Sequence, residues 1–250
     1  MSFPRRHCSL RETLPDIVSM ENVPNLIHEN VFRDFVRTLN ELHYEVEYQV
    51  VNCPDYGVPQ HRKRLVLLAS RFGEIHLIPP LYDAEHYITV RDAIGHLQPI
   101  EAGEICPDDI LHRSSALSAI NMERIQQSVP GGTWRDWDEN LRLKCHRKES
   151  GATFPSVYGR MEWDEPSPTM TTQFYGYGNG RFGHPEQNRA ISLREGAILQ
   201  SFPDDYIFID DLHPAKKREL GTHIGNAVPV ELGRAIGMSI QQHLTEMGVN

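Results

Sequence analysis

The chain of 250 residues lacks the features that mark membrane proteins, disulfide-stabilised proteins and simple metalloproteins. Its longest strongly apolar run, Leu65–Ala69, is far shorter than the roughly 20 residues that a membrane-spanning helix needs. No apolar segment follows Arg5 and Arg6, so no secretory signal is predicted. The 4 cysteines form no CxxC pair and the 13 histidines form no HExxH motif. We therefore expect no disulfide framework, no metal site and no membrane association, and the cysteine usage favours a cytoplasmic protein.

Basic residues are also fewer than acidic ones, 25 against 34, which gives a formal net charge of −9 at pH 7. Phosphate contacts need lysine and arginine, so this balance argues mildly against nucleic-acid binding. Two basic clusters, His61–Arg64 and Arg142–Lys148, run against that trend. Local charge matters more than net charge for nucleic-acid binding, so a basic face on an acidic protein stays open.

Residues 15–71 have the pattern of an α/β unit. Strands are predicted at Asp16–Met20, Glu45–Asn52 and Arg64–Ser70, and a helix with an apolar stripe at Val31–His43, with Asn30 as its cap. The loop between the last two strands is too short for a helical crossover, so these strands are expected to pair antiparallel. The sequence thus predicts a parallel sheet with an antiparallel hairpin at its edge.

Between residues 72 and 159 the periodicity weakens, and helical patterns appear only at Val90–Leu97 and Ser115–Gln127. Gly176–Pro185 is glycine-rich, but no buried strand leads into it, so it is not interpreted as a phosphate loop. Pro130–Trp137, a turn with aromatic and basic residues, favours either a recognition surface or an irregular loop region.

Helical order returns near the C-terminus. Ser192 and Glu195 have the spacing of a capping box, in front of an apolar run that Pro203 ends. The stretch "IGNAVPVELGRAIG" then predicts a Gly-Asn turn and a helix that begins at Pro229. The apolar stripe of that helix consists of Leu232, Ile236, Ile240 and Leu244.

Two polar residues, Glu21 and Asn22, stand where the first apolar strand stops, and Pro24 follows them. In open α/β sheets ligands bind at the carboxyl ends of strands, so the pair indicates a binding site. The alternative is an exposed strand end followed by a turn.

Three short blocks occur in order: Glu21-Asn22-Val23, Gln60-His61-Arg62-Lys63-Arg64 and Gly225-Asn226-Ala227-Val228-Pro229. With the stretches "YGVPQHRKRLVLLASR", "VYGRMEWDEPSPTMTT" and "NRAISLREGAILQSFPDDY", they resemble the later motifs of the DNA (cytosine-5) methyltransferases. The resemblance spans residues 15–244 and implies an α/β fold, the C-terminal portion of a Rossmann-like S-adenosylmethionine-dependent sheet. It implies a partial methyltransferase domain at 1–71, a small, irregular target-recognition domain at 72–190, and helices at 191–250 that return to the methyltransferase domain.

By resemblance, the reaction transfers a methyl group from S-adenosylmethionine to C5 of a cytosine flipped out of double-stranded DNA, in a restriction–modification setting. In the family a cysteine thiolate first adds to C6. The resemblance assigns Glu21 to protonation of N3, Arg64 to O2, and Arg62 to the neighbourhood of the flipped nucleotide and its phosphate. The alternatives are a solvated strand end for Glu21 and a surface basic patch for the two arginines.

Asn226 and Val228 resemble residues that line the cofactor pocket, with core packing as the alternative for Val228. Arg160, Pro168 and Thr169 resemble a motif that supports the recognition domain. Inside that domain, the candidates for phosphate or base contacts are Arg135, Arg142, Lys144 and Arg147. No rule assigns their DNA target.

The chain departs from the family pattern at the nucleophile. The family places a Pro-Cys motif and a Gly-rich cofactor motif before its Glu-Asn-Val block, whereas Glu21 stands close to the start of this chain. Cys8 follows His7 rather than proline, and neither Cys53 nor Cys106 is at a matching position. The chain is therefore interpreted as a truncated methyltransferase, as one subunit completed by a separate chain, or as a non-catalytic DNA-recognition remnant. Each interpretation predicts no methyl transfer by this chain alone.

Overall fold

A computed structural model describes residues 10–148, 153–208 and 216–249. Its main sheet has three strands, β1 (Ile17–Asn22), β2 (Glu45–Asn52) and β3 (Lys63–Ser70). β3 lies in the centre and pairs antiparallel with both neighbours. The predicted antiparallel pairing of β2 with β3 is confirmed. The predicted parallel sheet is wrong for the described residues, because β3 separates β1 from β2.

Six helices lie entirely within the described residues. They are α1 (Asn30–Glu41), α2 (Val90–Ile94), α3 (Ala119–Gln127), α4 (Leu193–Leu199), α5 (Lys217–Asn226) and α6 (Val230–Glu246). A small hairpin, β4 (Ile105–Cys106) and β5 (Asp109–Arg113), precedes α3. Short 3-10 helices include Cys53–Tyr56, Trp134–Asp136 and Lys144–Arg147. None of the helices in these described ranges is long and apolar enough to cross a membrane.

β3 is the apolar centre of the sheet because both of its faces are covered. Leu65 and Leu67 belong to a core with α1, whereas Val66 and Leu68 belong to a core with α6. A strand buried on both faces has an uninterrupted apolar run rather than an alternating one, which explains the composition of this segment. The two helices therefore sandwich the sheet and position its polar end.

Two element ends near β1 differ from the sequence expectation. β1 continues through Glu21 and Asn22, which pair with Val66 and Leu65 of β3, so the polar residues are the last of the strand rather than its sequel. The cap position of α1 is Glu29, whose side chain makes no capping hydrogen bond. The predicted capping role of Asn30 is therefore wrong.

The capping box at α4 is confirmed: Ser192 Oγ accepts a hydrogen bond from Glu195 N at 3.0 Å. The predicted Gly-Asn turn is wrong, because Gly225 and Asn226 are the last residues of α5. α6 begins at Val230, directly after Pro229, and buries Leu232 and Ile236 against the sheet.

The middle of the chain builds a core that also takes in α4 and α5. This core consists of Val90, Ala93, Ile94, Leu111, Met161, Met170, Phe174, Phe182, Ile191, Leu193, Ala197, Ile198, Leu199, Leu220 and Ile224. An adjoining aromatic cluster contains Ile125, Trp134, Trp137, Leu141, Tyr177 and Ala190. Of the three C-terminal helices, only α6 shares its core with the sheet.

Candidate active site at the end of the sheet

Glu21 and Arg64 lie side by side at one end of the sheet, on the face that α6 covers. Side chains alternate along a strand, so Arg64 points to the same face as Val66. Glu21 is paired directly with Val66, which puts its side chain on that face too. Arg64 Nε lies 2.6 Å from Glu21 Oε1. The strand register therefore brings together two residues that are 43 positions apart in the sequence.

Both side chains of this pair are largely withdrawn from water, with 12% of Arg64 and 14% of Glu21 exposed. Burial raises the pKa of the Glu21 carboxyl, and the guanidinium of Arg64 offsets only part of that rise. A raised pKa favours the protonated carboxyl, which can donate a hydrogen bond. Glu21 is thus not a solvated strand end but a shielded acid held beside a cation.

Arg62, which directly precedes β3, is placed differently from Arg64. Only 3% of it is exposed. Its NH1 donates to Gln60 Oε1 at 3.2 Å and to Met170 O at 3.1 Å, and its NH2 donates to Gly225 O at 3.3 Å. The side chain is therefore engaged with the protein interior, and a surface basic patch does not describe its position.

A buried hydrogen-bond network continues from Arg62 through two glutamines. Gln60 Nε2 donates to Leu199 O and to Gln200 Oε1, both at 3.1 Å, while Gln60 Oε1 accepts from Met170 N at 2.8 Å. Gln200 Nε2 donates to Ile224 O at 2.8 Å and to Gly225 O at 3.2 Å. We call Gln60, Arg62 and Gln200 the glutamine–arginine hub. Sequence reasoning missed Gln200, whose only signal is a polar residue directly after the apolar run of α4.

The two cofactor candidates lie immediately beyond this hub. Gly225 packs so tightly that an added Cβ would lie 2.4 Å from Thr171 O, which explains the need for glycine there. The next residue, Asn226, is exposed, and Val228 is 43% exposed. Core packing does not therefore describe Val228. One exposed amide and one exposed apolar side chain are compatible in chemistry with an adenosine-containing cofactor.

The four basic recognition candidates separate into two groups. Lys144 and Arg147 begin and end one 3-10 helix and are exposed, as is Arg135. Arg142 is half-buried, and its NH2 donates to Arg135 O at 2.7 Å and Trp137 O at 3.3 Å. Arg142 thus braces the backbone from a half-buried position. Arg147 also donates to a backbone oxygen, Glu139 O at 2.9 Å, but it is exposed like Arg135 and Lys144.

An aromatic stack anchors the basic 3-10 helix. The ring of His146, which lies between Lys144 and Arg147 in this helix, stacks on Trp134 with centroids 4.3 Å apart and an interplanar angle of 14°. Burial and the neighbouring arginines lower the pKa of His146, which favours the neutral ring in this stack. The anchor keeps the two basic side chains facing outward.

Arg160 organises the segments behind this surface. It is buried, and its guanidinium donates to the carbonyl oxygens of Ile125, Ser128, His184 and Gln187. Arg160 therefore ties backbone segments of the protein to one another. This is the kind of supporting role that the motif resemblance implies.

No thiol in the described residues is placed as a nucleophile. Cys53 is buried near Glu21 and Arg64, and burial raises its pKa to about 12, so it stays a thiol at neutral pH. Cys106 is buried and donates to Gln98 Oε1 at 3.2 Å, whereas Cys145 is exposed in the basic 3-10 helix. Cys8 lies outside the described residues. Within the described ranges, three or more potential metal ligands do not come together.

The fold is that of the DNA methyltransferases. A solved structure described as a DNA modification methyltransferase encoded within an Escherichia coli prophage matches with a TM-score of 0.69 at 19% identity. The match covers 96% of this chain and 72% of that one. The Entamoeba histolytica methyltransferase EhMeth matches with a TM-score of 0.57 at 15% identity, over 92% of this chain and 63% of that one.

The family model for C-5 cytosine-specific DNA methylases matches residues 8–242. Type II methylase M.HgiDII of Herpetosiphon aurantiacus is 55% identical over 238 residues, which make up 94% of this chain and 67% of that protein. Type II methyltransferase M1.BsuMI of Bacillus subtilis is 33% identical over 90% of this chain and 51% of its own length. The chain belongs to the C-5 cytosine-specific DNA methylase family, and it spans about half to two thirds of the length of these two bacterial relatives.

Proposed function

We propose that this chain recognises and protonates the target base in a DNA (cytosine-5) methyltransferase, with double-stranded DNA as substrate and S-adenosylmethionine as methyl donor. The observation that carries the proposal is the pairing of Glu21 with Arg64 at the end of the sheet, where burial raises the pKa of the carboxyl. Family membership supports the reaction class.

The pair suits the edge of cytosine that carries N3 and O2. As negative charge develops on the ring, protonated Glu21 donates its proton to N3, which is general-acid assistance. The guanidinium of Arg64 donates a hydrogen bond to O2, for which a fixed planar donor is well suited. N3 is hydrogen-bonded to guanine inside the duplex, so it becomes accessible only after the base has left the duplex. When bound, S-adenosylmethionine supplies the methyl group for C5, and Asn226 and Val228 line part of its pocket.

The proposed division of labour follows the chain. Residues 1–71 and 191–250 are assigned to the methyltransferase part and residues 72–190 to the target-recognition part. α4 and α5 lie at the boundary, because they pack in the core of the middle segment. Within the target-recognition part, Arg135, Lys144 and Arg147 are the proposed contacts to DNA phosphates or bases, because they are exposed and basic. The type II relatives support a role in restriction–modification.

The proposed activity needs a thiolate, and the described residues do not provide one in the right state. We infer that the residues of this chain do not transfer methyl groups by themselves and that Pro-Cys and Gly-rich motifs complete the site, either on a longer form of the same protein or on a complementary chain. The position of the described thiols also supports a second candidate function, a non-catalytic DNA-recognition subunit that binds through its exposed basic residues.

The test compares Glu21→Gln with Glu29→Gln, an exposed carboxylate whose side chain makes no capping bond. Transfer of labelled methyl from S-adenosylmethionine to DNA is measured for the chain alone and with a complementary chain. We expect no transfer alone. With the complement, Glu21→Gln should lower the rate by about 100-fold or more, and Glu29→Gln should leave it unchanged.

Each outcome of this test decides a separate part of the proposal. Methylation by the chain alone would disprove the need for a complement. Equal rates for Glu21→Gln and the parent would disprove the role of Glu21. DNA binding without methylation in any mixture would favour the recognition subunit.

A further inference from the structure

The glutamine–arginine hub connects the two halves of the proposed site. We propose that Gln200 is a positioning residue that holds Arg62 and the Asn226 end of α5 together. It thereby fixes the position of the Glu21–Arg64 pair relative to Asn226 and Val228, the proposed cofactor-binding residues. This inference rests on the proposed function, and Gln200 itself touches neither base nor cofactor in it.

Gln200 is fully buried, and both ends of its amide are used. Its Nε2 donates to the last carbonyls of α5, Ile224 O and Gly225 O, and its Oε1 accepts from Gln60 Nε2. Its backbone oxygen accepts from Val230 N, the first residue of α6, at 3.2 Å. An apolar side chain of the same size would fill the space but would remove three buried side-chain hydrogen bonds, so that Gln60 Nε2, Ile224 O and Gly225 O would each keep only their other partner.

Arg62 depends on this arrangement because its charge is buried without a carboxylate partner among the described residues. Its partners are one side-chain oxygen, from Gln60, and two backbone carbonyls, Met170 O and Gly225 O. Neutral dipoles stabilise a buried cation only when they are oriented toward it. Gln200 orients two of the three, since it binds the amide of Gln60 and shares the oxygen of Gly225.

The position of Arg62 sets the position of Arg64. The two residues are separated only by Lys63, the first residue of β3, so a displacement of the chain at Arg62 is carried directly into the strand at Arg64. Arg62 O also accepts from Cys53 N at 2.7 Å, which fixes the backbone at this point. On the opposite side of the hub, Gly225 is followed directly by Asn226. A change at Gln200 is therefore expected to move both the base-binding and the cofactor-binding side.

The experiment measures the titration of the Glu21 carboxyl by carbon-13 NMR in the chain alone. Arg64 lowers the pKa of Glu21, so release of Arg64 should raise it. Arg64→Gln gives the full effect, about one pKa unit or more for removal of an adjacent opposite charge. Gln200→Met should raise the same pKa by less than Arg64→Gln does, because it displaces the guanidinium without removing its charge.

The matched control is Ile198→Ala, which removes core packing from α4 without touching the hub. A merely structural role for Gln200 predicts equal small effects of both variants on Glu21. A Gln200→Met protein whose Glu21 titrates like the parent, or like Ile198→Ala, would overturn the inference. If Gln200→Met does not fold, Gln60→Met breaks the next link and is read in the same way. The measurement uses neither DNA nor cofactor, so its failure is distinct from failure of the methylation test.

Discussion

Replacing Glu195 by glutamine should destabilise the protein strongly, because it leaves a buried charge without its partner. Arg189 is completely buried and Glu195 is 1% exposed. Two parallel hydrogen bonds of 2.7 Å join the guanidinium to the carboxylate. Removing one member of a buried pair costs about 3–5 kcal/mol of unfolding free energy. Glu195→Gln keeps the size of the side chain, so the loss of unfolding free energy reports the unpaired charge of Arg189 and not a cavity.

The assay is urea unfolding at pH 7, monitored by circular dichroism. The variants are compared only if the dependence of unfolding free energy on urea concentration has the same slope. The control is Glu231→Gln, which breaks an exposed pair with Arg234 and should cost between about 0 and 1 kcal/mol. The double variant Arg189→Met with Glu195→Met should be less destabilised than Glu195→Gln, since no unpaired charge remains. A loss below about 1 kcal/mol for Glu195→Gln would refute the assignment of a buried charge pair.

Three further predictions concern acid stability, thiol reactivity and DNA binding. Burial lowers the pKa of His184 to about 4 from 6.5, so the unfolded chain takes up the proton first as the pH falls. Stability should therefore decline between about pH 6.5 and 4, and urea unfolding of His184→Gln should decline less steeply over that window. In the folded protein at neutral pH, iodoacetamide should label Cys145 and spare Cys53, whose pKa is raised to about 12. Mass spectrometry would detect the labelled residue, and prompt labelling of Cys53 would contradict its burial. Replacing Lys144 and Arg147 by glutamine should weaken binding to DNA of any sequence. The slope of log binding constant against log salt concentration should fall by about one for each phosphate that is no longer neutralised. An unchanged slope would show that these residues do not contact DNA.

Local patterns are enough to predict several elements of the fold. Alternation predicts β2 with its observed bounds, and residue spacing predicts the capping box of Ser192 and Glu195 with its observed partners. Both depend on interactions within a few residues, which alternation and spacing encode directly. The motifs also identify the family, because they preserve residue types in a fixed order. The roles of Asn226, Val228 and the basic recognition residues stay predictions.

Long-range contacts decided the rest. The central position of β3 depends on which strand edges meet, and no pattern within β3 reports that choice. Arg62 and Arg64 look equivalent in the sequence, yet one is turned inward to carbonyl oxygens and the other pairs with Glu21. Gln200 gained its place only because α4, α5 and the Gln60 loop converge on it. The sequence alone determined the chemistry available to this protein; the tertiary structure decided which of those groups are buried together, because burial and hydrogen bonding depend on residues far apart in the chain.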